Sequence, residues 1–454
     1  MLGSFKKQTT LGITFVLVAA YSLVIVPQVA AAPGEREQRS QSITIASEED
    51  FNPANGVRAG SGTKSDPFVI SDWDVPRIHI RDTDSYFVVR DNTIDSLTLN
   101  WNGDRVTIVN NDIGDLRVNQ NVKRTGGPTS GLIAHNSFGV VGQLRHFDGV
   151  FAHNKVGSSE DANMTFPFFD NRAVNFDGFH GSRFFDNVLY GYLEVRLHGH
   201  HHGSGYEAGS HYHGSAPPAD EHAEHAEHAE HAEHAEMQMV DHTRRYHQVY
   251  VYDNTIYADG YQALLYTDSN HAGNDRTAAS ETNEELNKAH EHFTKVHITG
   301  NKLVGSGLAV NIFNAKDERH TTTNRGLMHI ADNDITLARS KSTLPLFETR
   351  TGIDIWQVKD INLRIVGNSI AYDSSTDPLA VAESNYRDSG ISLRDVDLGD
   401  VSIGNNSVSG VFYGVSAYQM TETVRWSIWG LATEGVKEPV WYDSSVKNHP
   451  DQEP

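Results

Sequence analysis

An asparagine-centred motif recurs along most of this 454-residue chain and restricts its fold more than any other feature. Each copy has alternating apolar residues, one or two turn formers, an asparagine, any residue and one more apolar residue. The ten copies are centred on Asn92, Asn111, Asn136, Asn154, Asn187, Asn254, Asn301, Asn333, Asn368 and Asn406. Units that recur in this way pack against their neighbours, so the chain is expected to build a solenoid.

The spacing of the motif indicates the kind of solenoid. The first three spacings are 19, 25 and 18 residues, close to one coil of a parallel β-helix, and later spacings of 32 to 38 fit a coil with a loop or two coils. Asn tolerates a left-handed turn, and Asn side chains stacked at the strand spacing can bond one another as a ladder. Alternations such as Val106–Val109 then place every other side chain in a narrow core. The sequence predicts an all-β fold, a right-handed parallel β-helix.

A β-sandwich or a propeller is the alternative fold, because both also contain many short strands. Sandwich strands lack a fixed Asn after each apolar strand, and propeller blades need longer repeats of four strands each. The β-helix therefore fits the motif better.

We predict that the β-helix occupies residues 60–418 and that both of its ends are covered, because end coils expose unpaired backbone. Thr44–Phe51, within a cap region at 32–59, is the candidate for the first end. An aromatic cap and tail at 419–454, with Trp426, Trp429 and Trp441, is the candidate for the second end. Two insertions are expected, a low-complexity loop at 198–247 and a short helical excursion at 270–294.

The first 31 residues have the three-part layout of an export signal: Lys6 and Lys7, an apolar run from Leu11 to Val26, and small residues up to Ala31. We expect a cleaved signal peptide and a secreted, periplasmic or cell-surface protein with no membrane span; an uncleaved anchor is the alternative. The chain has no Cys, so disulfides do not stabilise it. A formal net charge of -22 argues against a nucleic-acid partner and favours cations.

One segment resembles a known group of proteins. The run Gly60–Ile70, followed by Trp73, is similar to the opening segment of exported β-helix proteins of the NosD type. The Asn coils resemble the repeats shared by those proteins and by many carbohydrate-active enzymes of the pectate-lyase-like superfold, and the resemblance covers Gly60–Tyr418. It implies the fold, and it permits the periplasmic copper handling with which NosD-type proteins are associated, since such repeats encode turns and core rather than chemistry.

Histidine is concentrated where the repeat stops. Five successive His-Ala-Glu triplets run from His222 to Glu236, after a separate cluster from His198 to His213. Thirteen of the chain's 25 His are the predicted metal ligands: His198, His200, His201, His202, His211, His213, His222, His225, His228, His231, His234, His242 and His247. Neutral imidazole is the commonest zinc ligand and also suits copper and nickel, so the sequence predicts divalent transition-metal binding without choosing the metal.

The composition of the triplets suggests how they would hold an ion. Ala and Glu favour a helix, and residues three apart, such as His222 and His225, then lie on one face. The alternative is an expansion by replication slippage in a solvated loop. Slippage does not account for the first cluster as well, because its spacing differs.

The residue before each repeat Asn forms a second column, which includes His135, His153 and Asp186. If one coil separates them, the two imidazoles stack about one strand spacing apart and form a candidate ordered metal site. The better interpretation is a turn position, since Asp, Asn, Gly and His accept unusual backbone dihedral angles.

Catalytic candidates are few. Asp177, His180 and Arg183 belong to a stretch rich in the groups that polysaccharide-cleaving β-helix enzymes use, but it lacks the paired Asp of the hydrolases. In the second insertion, predicted helical from Glu281 to His292, His290 and His292 lie on different helical faces and do not suit a joint metal site.

Three functions remain open from the sequence. The first is a non-catalytic exported protein that captures or buffers zinc, copper or nickel through the histidine-rich insertion. The second is a lyase or hydrolase of extracellular polysaccharide, which requires acidic and basic side chains to converge in a groove across neighbouring coils. The third is a structural or adhesive surface protein in which the histidines have no role.

Overall fold

The computed structural model describes residues 36–101, 106–120, 131–145, 147, 149–158, 172–177, 182–198, 244–258, 262–270, 291–314, 324–338, 351–358, 361–373, 388–397, 399–446 and 451–453. These residues are almost entirely β-strand. Two single-turn 3-10 helices, Glu48–Asp50 and Pro53–Asn55, precede the main body of strands.

Parallel strands stack along three faces, and the first face contains thirteen of them. The strands of the first face are β3 (Phe68–Ser71), β5 (Phe87–Arg90), β7 (Val106–Val109), β9 (Gly131–Ala134), β11 (Val150–Ala152), β14 (Ser182–Phe185), β17 (Arg244–Tyr252), β20 (Glu291–Thr299), β23 (Asn324–Ala331), β26 (Ile361–Val366), β29 (Gly399–Gly404), β32 (Val424–Trp429) and β35 (Asp451–Glu453).

The second and third faces share their early strands and then separate. Two short strands and four strands of nine residues come first: β1 (Glu37–Gln38), β2 (Ile43–Ile45), β4 (Trp73–Arg81), β6 (Thr93–Trp101), β8 (Asp112–Gln120) and β10 (Ser137–Arg145). The second face continues with β12 (Lys155–Val156), β15 (Val188–Tyr190), β18 (Thr255–Tyr257), β21 (Lys302–Gly305), β24 (Asp334–Leu337), β27 (Ser369–Tyr372), β30 (Ser407–Ser409) and β33 (Ala432–Glu434). The third face continues with β13 (Arg172–Asp177), β16 (Tyr192–His198), β19 (Leu264–Asn270), β22 (Leu308–Asn314), β25 (Thr351–Trp356), β28 (Ser389–Arg394), β31 (Tyr413–Tyr418) and β34 (Glu438–Tyr442).

This arrangement is the right-handed parallel β-helix that the repeat predicts. Each strand pairs in parallel with strands one coil before and after it, as β17 does with β14 and β20. Inward side chains from all three faces form one apolar cluster that extends from Ile43 to Val446. Within it, phenylalanines of successive coils stack, with the ring centroids of Phe151 and Phe184 4.8 Å apart.

A left-handed residue followed by Asn turns the chain from the first face to the second. The residue before each of the ten repeat Asn has a φ between 51° and 68°. Gly300 and Gly367 occupy two of these positions, and a Cβ at either would lie 2.3 Å from the Oδ1 atom of Asp253 or Asp332 in the preceding coil. The turn interpretation of this column is confirmed.

The ten asparagines form a continuous ladder inside the corner, as predicted. Each Nδ2 donates to the Oδ1 of the next Asn along the stack, over nine links of 2.9 to 3.1 Å. The backbone N–H of Asn92 donates to the Oδ1 of Asn111, and the same bond recurs up the stack. The asparagines are at most 3% exposed, so this network satisfies polar groups that water does not reach.

Several boundaries differ from the predicted ones. The parallel ladder continues past residue 418 through β32, β33, β34 and β35. The corner of this last coil has Leu431 in place of the repeat Asn, but Gly430 before it still takes the left-handed turn conformation. Residues 244–247 belong to β17 rather than to the insertion. Glu291 and His292, expected at the end of a helix, begin β20; residues 281–290 and the predicted signal segment lie outside the described residues.

Candidate functional site

The two edges of the histidine-rich insertion are on the coil. His198 is the last residue of β16 on the third face, and His247 lies within β17 on the first face. The other eleven predicted ligands, from His200 to His242, lie outside the described residues. Within the described ranges, no group of three or more His, Asp or Glu side chains is arranged to hold a metal ion.

The insertion leaves the stack intact. β16 pairs with β19 of the next coil, and β17 pairs with β14 of the preceding coil, so the strands on both sides of residues 199–243 pair with neighbours on their own face. The Asn ladder also crosses this point, because Asn187 donates to the Oδ1 of Asn254 at 2.9 Å. The described strands on either side of the histidine-rich segment therefore keep their places in the stack.

The weak catalytic candidates are not assembled by the strand register. Asp177 ends β13 on the third face, whereas Arg183 is an exposed residue of β14 on the first face. His180 lies outside the described residues. Asp177 pairs in register with Arg196 of the next coil, and Arg183 pairs with Tyr250, so the two candidates have different neighbours.

The column of turn residues brings His135, His153 and Asp186 together in consecutive coils. The two imidazole rings stack with centroids 4.8 Å apart and an interplanar angle of 5°, as the 18-residue spacing predicts. The Nδ1 atom of His153 is 3.7 Å from the Oδ2 atom of Asp186, and both side chains are about half exposed. Burial, and then the neighbouring His153, lower the pKa of His135.

A polar groove lies across the first long strands, and sequence reasoning did not identify it. It has a volume of about 430 Å³. Its lining residues come from β4, β6 and β8: Arg77, His79, Ser96, Thr98, Asn100, Asp115 and Arg117. The strand register sets Arg77, Ser96 and Asp115 side by side, and it also aligns His79, Thr98 and Arg117. Acidic and basic side chains thus converge on neighbouring coils.

Hydrogen bonds hold some of the polar side chains in the groove and leave one acceptor unpaired. Arg117 donates from Nε to the Oδ2 atom of Asp115 at 2.8 Å, while the buried Oδ1 atom of Asp115 has no hydrogen-bond donor in the described part of the chain. The Nδ2 atom of Asn100 lies 3.0 Å from the Nε2 atom of His79. Burial lowers the pKa of His79, and the Arg81 and Arg77 guanidinium groups lower it further, so this imidazole is neutral near pH 7.

The signal for the groove was present in the sequence as a spacing. Arg77, Ser96 and Asp115 are 19 residues apart, and so are His79, Thr98 and Arg117. That period equals the distance between Asn92 and Asn111, so it marks side chains that stack on one face. The residue types differ from coil to coil, and for that reason the set is not visible as a motif.

Comparisons with protein-family models, with curated proteins and with solved structures found no match to this chain. Among the residues that the structure describes, no helix is long and apolar enough to cross a membrane. The assignment of function therefore depends on the chemistry of the chain's own residues.

Proposed function

We propose that this protein is an exported β-helix that captures divalent transition-metal ions, zinc, copper or nickel, through the histidine-rich insertion at 198–247. The observation that carries the proposal is the concentration of thirteen of 25 histidines in one segment, which runs from the end of β16 into β17. Imidazole and carboxylate side chains in that segment are ligands for these ions, and its Glu residues reduce the electrostatic cost of a dication. The resemblance of Gly60–Ile70 to NosD-type proteins permits copper among the three metals without choosing it.

Isothermal titration of Zn²⁺, Cu²⁺ and Ni²⁺ tests this proposal. The titrated proteins are the chain from Ala32 onward and a variant lacking residues 199–241 in which two glycines are added. The resulting connection has four residues, the length that separates β25 from β26. Tight binding of several ions that disappears in the variant supports metal capture; equal binding by both proteins, or none by either, overturns it.

The groove favours a second candidate function, the binding of an acidic polysaccharide. Arg77 and Arg117 supply guanidinium groups that suit a sugar carboxylate, and Ser96, Thr98 and Asn100 line the groove with polar groups that suit sugar hydroxyls. Neutral His79 is positioned beside them as a hydrogen-bond partner or base. In the enzymatic version of this candidate, the bound polysaccharide is also cleaved.

Titration with polygalacturonate tests this candidate. A neutral glucan is the comparison, because it has no carboxylates for the arginines to bind. The double variant Arg77→Ala, Arg117→Ala is expected to lose polygalacturonate binding. The matched control is Arg425→Ala, which removes an exposed arginine that pairs with Asp400 on the first face just as Arg117 pairs with Asp115. Equal binding by the groove variant and the control would show that the groove does not hold the glycan.

A further inference from the structure

Three residues on the outer side of the third face lie in one row across adjacent coils. Asn311 of β22 pairs in register with Trp356 of β25, and Trp356 pairs with Arg394 of β28. The residue before each of them in its strand is a fully buried core residue, so these three side chains point away from the core. The row therefore presents an amide, an aromatic ring and a guanidinium group side by side.

A buried carboxylate fixes the position of Arg394. The Nε atom of Arg394 donates to the Oδ1 atom of Asp354 at 3.1 Å, and its Nη2 atom donates to the Oδ2 atom. The side chain of Asp354 is 4% exposed and that of Arg394 is 35% exposed. Within the described ranges, the Nη1 atom of Arg394 has no acceptor. The pair thus leaves one guanidinium nitrogen as a positioned donor.

Trp356 and Asn311 lie beside this donor. Trp356 is 37% exposed, and the Cζ atom of Arg394 lies 5.5 Å from the centroid of its ring. Asn311, on the other side of Trp356 in the row, is 8% exposed, and its buried Oδ1 atom has no donor among the described residues. A buried polar atom without a partner is uncommon in native proteins and indicates a ligand, a water or a functional role at that place.

We propose that the row of Asn311, Trp356 and Arg394 binds a neutral glycan, with one sugar ring packed against Trp356. The C–H groups of a sugar ring pack on an aromatic side chain, and sugar hydroxyls both donate and accept hydrogen bonds. Arg394 donates from Nη1 to one hydroxyl oxygen. Asn311 accepts from another hydroxyl through Oδ1, because its terminal torsion is soft and lets the amide turn toward the ligand. Asn311 and Arg394 are two strand spacings apart, roughly 10 Å, so their hydrogen bonds bracket a short segment of a sugar chain.

The charge balance of the row favours a neutral ligand over an acidic one. Asp354 compensates the charge of Arg394, and because that carboxylate is buried, water screens it poorly from a second carboxylate held nearby. The groove has a different balance, with Arg77 and Arg117 for a single Asp115. We therefore expect the two places to bind different glycans.

The rival explanation of the row is purely structural. Arg394 then only neutralises Asp354, Trp356 covers the ion pair through a cation–π contact, and the row has no ligand. That explanation gives Asn311 no role, since its Oδ1 atom has no bond to lose in the described part of the chain. Substitution of Asn311 therefore separates the two explanations, and neither of them depends on metal capture by the histidine-rich insertion.

The test is isothermal titration of three neutral hexasaccharides, cellohexaose, xylohexaose and mannohexaose, into the chain from Ala32 onward. The site variants are Trp356→Ala and Asn311→Ala. Tyr442→Ala is the matched control, because Tyr442 is a 36% exposed aromatic residue of β34 that pairs in register with the core residue Ala417 and so is not on the outer side of the third face. Unfolding temperatures measured without sugar establish that all variants are folded.

We expect at least one hexasaccharide to bind, with an affinity about tenfold weaker in Trp356→Ala and about three- to tenfold weaker in Asn311→Ala, the losses of one ring contact and of one hydrogen bond. Tyr442→Ala and the groove variant Arg77→Ala, Arg117→Ala should bind the sugar as the unaltered chain does. No binding of any of the three sugars would overturn the proposal, and so would undiminished binding by the two site variants. Loss of binding in the groove variant alone would assign the sugar to the groove and overturn the row.

Discussion

A single asparagine in the ladder serves several backbone groups, and this makes the individual positions sensitive to substitution. Asn254 donates from Nδ2 to the carbonyl of Phe184 and to the Oδ1 atom of Asn301. Its own Oδ1 atom accepts from the backbone and side-chain nitrogens of Asn187. Because Asn254 is 1% exposed, water does not replace these bonds when the side chain is removed.

We predict that Asn254→Ala lowers the free energy of unfolding by about 3 kcal/mol, since it leaves buried donors and acceptors unpaired. The measurement is the shift of the urea unfolding midpoint. Asn362→Ala is the control, because Asn362 is exposed and, among the described residues, its side chain accepts a single backbone bond, from the N–H of Asp400 at 3.2 Å. Equal shifts for the two variants would contradict the importance of the ladder.

The turn column makes a prediction about pH. Burial and the neighbouring Asp186 raise the pKa of Asp253, so the carboxyl protonates more easily in the folded chain than in the unfolded one. Its ionisation therefore costs stability once the pH rises through the folded pKa, and stability from this group is greatest below the unfolded pKa.

Asp253→Asn is thus expected to raise the unfolding temperature at pH 7, by an amount that shrinks as the solution is acidified. Thermal scans from pH 7 to pH 3 measure it. Asp332→Asn is the matched control, because Asp332 occupies the same turn position but is preceded in the column by Gly300 rather than by a carboxylate. If the stabilisation by Asp253→Asn grew toward low pH, the pKa of Asp253 would be lowered rather than raised in the folded chain.

At the scale of strands and loops, the coil and the insertion are separable. Strands on both sides of residues 199–243 pair with their own faces, and the Asn ladder crosses the gap. Shortening a long connection also lowers the entropy cost of closing it. Replacement of residues 199–241 by two glycines is therefore predicted to change the unfolding temperature less than Asn254→Ala does. Scanning calorimetry measures both, and a collapse of the coil in the deletion variant would contradict the prediction.

The strand pattern also shows what the sequence can and cannot predict. Asn marks the corner after the first face, so the repeat predicts the fold and most of the coils. Trp73 and Leu431 stand at the Asn position in end coils, where a bulky residue is tolerated because the ladder ends. The coil with Trp73 lies within the predicted 60–418, whereas the coil with Leu431 was missed. The groove was missed because its residues come from three strands and share a spacing rather than a type.

The edge-to-face contact between the rings of His297 and His329 was not visible in the sequence, for a related reason. In the sequence each residue is the polar member of an alternation, and only the register of β20 and β23 places them side by side. The burial of their Nε2 atoms depends on side chains packed around them, which a strand pattern does not describe. Residues within one corner were predictable, whereas contacts across coils with loops of varied length were not.

For the molecule as a whole, metal capture should depend on pH. Imidazole binds an ion only when neutral, and its ordinary pKa is about 6.5. Acidification from pH 7 to pH 5 is expected to release most of the bound Zn²⁺, because the imidazoles become protonated. The net charge of -22 at pH 7 attracts cations to the protein but does not replace these ligands. Equilibrium dialysis at constant ionic strength measures the release. Binding that is unchanged at pH 5 would indicate carboxylate rather than imidazole ligands.

The most direct measurement of metal capture is native mass spectrometry of the chain from Ala32 onward at equal Zn²⁺ concentrations. The comparison is with a variant in which the five histidines of the triplets, between His222 and His234, are replaced by glutamine, which preserves the length and the acidic residues. We predict that the unaltered chain carries several ions and that the glutamine variant carries fewer. Identical distributions of bound ions for the two proteins would contradict metal capture by the triplets.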